Sequence, residues 1–71
     1  MNEYSIILAF DDNAQKWYAQ NDDIPIILED CSLDSLIRRV KIAVPEMLEV
    51  NNVPYAGANL LFKMETQAVL A

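Results

Sequence analysis

The sequence predicts a small α+β domain in the order strand, strand, strand, helix, strand: a mixed four-stranded sheet with one helix packed on one face. Three observations predict it. Residues 4–10 and 60–65 alternate with the two-residue period of a strand, residues 33–48 carry apolar side chains at three-and-four spacing, and turn-forming clusters separate the segments. A chain of 71 residues has room for one such unit, so a single domain over residues 1–71 is expected.

The first strand, residues 4–10 (YSIILAF), sets Tyr4, Ile6, Leu8 and Phe10 on one face and Ser5, Ile7 and Ala9 on the other. Asp11, Asp12 and Asn13 supply turn chemistry, and Trp17, Tyr18, Ala19 and Gln20 form a second strand that returns antiparallel. Residues 21–23 close it. Pro25 opens a third strand through Ile26, Ile27 and Leu28, and a proline at that position places the strand at an edge, where a missing N–H costs least.

Ser32 is a helix N-cap: its hydroxyl accepts from the free amides of the first turn, and Asp34 puts negative charge near the positive end of the helix dipole. Leu33, Leu36, Ile37, Val40, Ala43, Val44, Met47 and Leu48 make one apolar stripe. Pro45 removes an amide donor and crowds the carbonyl of Lys41, which predicts a kink or a break into two helical pieces. Residues 51–59 (NNVPYAGAN), with the only glycine, read as a loop. Leu60, Phe62 and Met64 then share one face of a fourth strand that can run on into residues 66–70.

One helix of about five turns covers one face of such a sheet. The other face, with Ile7, Ile27 or Leu61, meets water or another chain. A small core without a disulfide, together with that apolar face, predicts self-association, a homodimer in the simplest case.

Five Lys and Arg against eleven Asp and Glu give a net charge of −6, which argues against direct nucleic-acid binding and for a basic protein partner. The apolar runs are far too short to span a bilayer, and residues 1–10 lack the charged start and small-residue cleavage site of a signal peptide. A lone cysteine agrees with a reducing compartment, and a cytoplasmic location is expected.

Each catalytic arrangement lacks a part. With no histidine, Cys31 has no imidazole to activate it, and a small buried or half-buried residue at the strand-to-helix turn is the simpler reading. Asp11, Asn13 and Gln15 resemble the opening ligands of a calcium loop, but Lys16 stands where glycine is required and Asp22 where the closing glutamate belongs, which leaves a solvated turn. No catalytic residue, cofactor or metal is expected. Asp22 with Asp23, and Glu29 with Asp30, read as solvated or partner-facing carboxylates. Arg38, Arg39 and Lys41 are expected to pair with Asp34 or with other helix and loop carboxylates. Trp17 and Tyr18 alternate sides, so one packs inward while the other is a contact anchor. The candidate partner-binding set is therefore Trp17, Tyr18, Asp22, Asp23, Glu29 and Asp30.

The opening strand, the W-Y-A-Q step at residues 17–20, the D-D-I-P turn at 22–25, the S-L-D-S-L helix start at 32–36 and the V-P-E-M-L-E-V-N run at 44–51 together resemble the HicB-like antitoxin domain, in particular its short single-domain relatives of uncharacterised function. The resemblance spans roughly residues 4–62. It implies a partial ribonuclease H-like fold, used without catalysis: residues 5–10 offer none of the acidic metal ligands that a ribonuclease H-type enzyme needs on its opening strand. In full antitoxins this domain blocks a small basic RNA-cleaving toxin, while a separate C-terminal segment binds DNA. The 71 residues leave no room for that segment, so the resemblance implies toxin binding without the autoregulatory role. Ile26 and Cys31 stand where many antitoxins carry glycine, which alters the expected toxin contact. The alternatives are a stand-alone oligomeric small-ligand-binding module and a degenerate metal-dependent nuclease using Asp22, Asp23, Glu29 or Asp30 with magnesium.

Overall fold

A computed structural model of the chain describes residues 3–24 and 26–65. Its elements are β1 (Glu3–Asp11), β2 (Lys16–Asn21), β3 (Ile26–Asp30), α1 (Leu33–Val50) and β4 (Asn59–Met64), in the order expected. The sheet runs β3-β2-β1-β4. β2 pairs antiparallel with both β1 and β3, whereas β4 lies parallel to β1. The sheet is therefore mixed, and β3 is an edge as its proline predicts. Pro25 itself, and the expected continuation of β4 into residues 66–70, lie outside the described residues.

Each connection is made by local chemistry. In the β1–β2 turn, Asp11 Oδ1 accepts from the N–H groups of Asn13 (3.0 Å) and Ala14 (3.3 Å), and Gln15 adopts φ 57° with its N–H bonded to the Asp11 carbonyl at 2.7 Å. A polar residue with positive φ closing a short hairpin loop lets the strands return in register. The carboxylate is thus used by its own turn, in keeping with a solvated turn there. Asn21 does the same work after β2: its Oδ1 accepts from the N–H groups of Asp23 and Ile24, both at 2.7 Å. Its Nδ2 donates to the Ser5 carbonyl, tying the turn back to β1.

Ser32 caps α1, its Oγ accepting from the Ser35 N–H at 3.3 Å, with Asp34 in the first turn. Pro45 does not divide the helix: α1 is continuous over eighteen residues. The proline deprives only the Lys41 carbonyl of its partner. Lys41 is solvent-exposed, so water can serve that carbonyl, while Val44 and Leu48 on either side of the proline are buried against the sheet and hold the turns together. The helix stops on asparagine rather than glycine. Asn52 takes φ 57°, its N–H bonds the Glu49 carbonyl (3.0 Å), and the Val53 N–H bonds the Leu48 carbonyl (2.8 Å), the paired bonds of a Schellman ending. Val53 then packs against the core.

The core joins Ile6 and Leu8 of β1, Ala19 of β2, Ile24, Ile26 of β3, and Leu36, Val40, Val44 and Leu48 of α1. The helical members recur every four residues, a single line along the helix. Ala19 is fully buried between Leu8 and Leu28 on its neighbouring strands. A methyl side chain on a central strand is what allows α1 to lie close over β2 and β3.

Candidate functional site

Register divides the sheet into two faces. Tyr4, Ile6, Leu8, Phe10, Trp17, Ala19, Ile26, Leu28, Leu60 and Phe62 face the helix side, since directly paired residues share a face. The residues between them form the open face. Across it, one rung reads Ile27, Gln20, Ile7, Lys63 and the next Glu29, Tyr18, Ala9, while Leu61 stands beside Ser5. Ile7, Ile27 and Leu61, the three residues expected on the uncovered face, lie there together. Ile27 is 76% exposed and Leu61 38%. An isoleucine this exposed in a strand contributes nothing to the core, so it is the feature of this face that the fold does not explain.

The two aromatics of β2 part company as alternation requires. Trp17 lies on the helix side, packed against the core and edge-on to Phe10, with ring centroids 5.2 Å apart. Tyr18 lies on the open face, half-buried beside Ala9. Of the pair, Tyr18 is the one on the open face.

The four carboxylates do not converge. Asp22 and Asp23 are exposed in the turn before β3, while Glu29 and Asp30 end that strand, a separation of about 13 Å at the rise of a strand. Among the described residues no group of three or more His, Cys, Asp or Glu could hold a metal ion. Glu29 projects on the open face and is exposed.

Asp30 has a different task. Its Oδ1 accepts from the Ser32 N–H at 2.9 Å, and its Oδ2 from Ser35 Oγ at 2.8 Å and Arg39 at 3.3 Å. These contacts, first the Ser32 amide, then the Ser35 hydroxyl and finally Arg39, hold its carboxyl below the usual carboxylate range. Asp30 thereby locks the start of α1 to the end of β3. Arg39 also donates to the Glu29 carbonyl at 2.6 Å. That bond occupies one of the outward backbone acceptors of an edge strand and blunts it against unwanted pairing. Of the basic cluster, Arg39 thus finds its carboxylate on the strand, at Asp30 rather than Asp34. Sequence reasoning missed this clasp. Its only trace is that Ser35 and Arg39 are four apart on a helix whose first turn must lie against residue 30.

Three concavities lie around the helix C-terminus among the described residues, one of them of about 170 Å³ between Asp23, Ile24, Met47, Leu48, Asn51 and Val53. A cleft of about 120 Å³ lies between α1 and β4, lined by Tyr4, Val44, Pro45, Leu48, Tyr55 and Leu60 among others. It is well below the few hundred Å³ that small-molecule sites occupy. A depression of about 530 Å³, lined by Glu49 and residues 52–56, opens broadly to solvent on the loop. Cys31 is exposed. Among the described residues no helix is long and apolar enough to cross a membrane.

No curated protein matches the chain. A crystal structure of a hypothetical protein from the extremely thermophilic bacterium Thermus thermophilus is similar to it, with 27% sequence identity and a TM-score of 0.71 over 99% of each chain. The small α+β architecture is therefore shared across the full length of both chains. A family described as a domain of unknown function, DUF1902, matches residues 3–70, and the protein belongs to that family.

Proposed function

We propose that this domain is a non-enzymatic, acidic protein-interaction module of the cytoplasm, which self-associates through its open sheet face and neutralises a small basic toxin-like protein in the manner of HicB-type antitoxins. The observation that carries the reading is the open face: Ile27 at 76% exposure, with Leu61, Ile7 and Tyr18 on the same surface of a chain of net charge −6. Apolar side chains displayed on a sheet that needs no further cover for its own core suit association. The exposed Asp22, Asp23 and Glu29 suit a partner of opposite charge, steering its approach and suppressing acidic competitors. Lys and Arg are too few, at five, for a phosphate-backbone reader.

The test is recovery of tagged chain from its own cells at low salt, with mass determination of what accompanies it. The reading expects a small basic protein in stoichiometric amount, whose RNA cleavage is blocked when the chain is added back. Asp22→Lys with Asp23→Lys is expected to abolish that recovery. If only the chain itself returns, or if the basic companion cleaves no RNA, toxin neutralisation is wrong.

A further inference from the structure

We draw no further inference here: the strongest candidate, the open sheet face that displays Ile27, Leu61 and Tyr18, carries nothing beyond the association already proposed for it, because nothing in the structure shows what covers it.

Discussion

The two faces of the sheet are built from alternate residues of the same strands and do opposite work. On the helix side, Ile6, Leu8, Ala19 and Ile26 are at most 4% exposed and close against the Leu36, Val40, Val44 and Leu48 line of the helix. On the open side, Ile27, the neighbour of buried Ile26, is 76% exposed. One residue along a strand separates a side chain that holds the fold from one that the fold does not use. The difference teaches that hydrophobicity alone does not mark the core of this domain. Only the phase of the alternation, set by where the helix lands, tells the side chains that hold this fold from those that do not.

The strongest way to break that comparison is on the helix side. Leu36→Ala empties a fully buried position and is expected to cost about 2–5 kcal/mol. For a domain of this size, whose core supplies only about 3–5 kcal/mol, much of the population should unfold at room temperature, as read by urea titration. Ala19→Leu attacks the same face by overpacking, because Ala19 is fully buried between Leu8, Leu28 and the helix. An expected loss of about 1–3 kcal/mol is measurable in the same titration. Ser32→Ala removes the N-cap acceptor and is expected to cost about 1 kcal/mol, seen as a lower thermal midpoint.

Acid tests the clasp that fastens the helix to the sheet edge. The folded Asp30 carboxyl lies below its ordinary value because the Ser32 amide, the Ser35 hydroxyl and Arg39 favour its charged form. A depressed folded value means that this contribution is fully present above the unfolded carboxylate value, near pH 4, and fades as pH falls through the lower folded one. Thermal midpoints measured from pH 6 to pH 2 should therefore fall less steeply in Asp30→Asn than in the wild type. Equal slopes would remove Asp30 from the acid response. The smallest stability effect belongs to the open face, where Ile27→Lys should leave the monomer within about 0.5 kcal/mol of wild type.

Much of this was legible in the sequence because it is local or periodic. The strand alternation, the four-residue helical line and the Ser32 cap are written in adjacent residues, and so is the parting of Trp17 from Tyr18. What escaped was tertiary. Pro45 left both a kinked single helix and a break open, and α1 runs through it as one helix, because burial of Val44 and Leu48 outweighs one lost hydrogen bond. Asp30 read as a partner-facing carboxylate beside Glu29, whereas its oxygens are engaged by Ser32, Ser35 and Arg39. That constellation depends on the direction in which the helix leaves the sheet, which no spacing along the chain encodes. The Asn51–Asn52 helix ending was likewise masked by reading residues 51–59 as a plain loop.

The most direct test of the division between the two faces is one variant measured two ways: Ile27→Lys by thermal unfolding, at a concentration low enough to keep the wild type dissociated, and by sedimentation equilibrium at higher concentration. The account predicts an unchanged unfolding midpoint together with loss of the dimer, so that association fails while the fold stands. A lowered midpoint in the dissociated chain, or a dimer that persists unchanged, would contradict it.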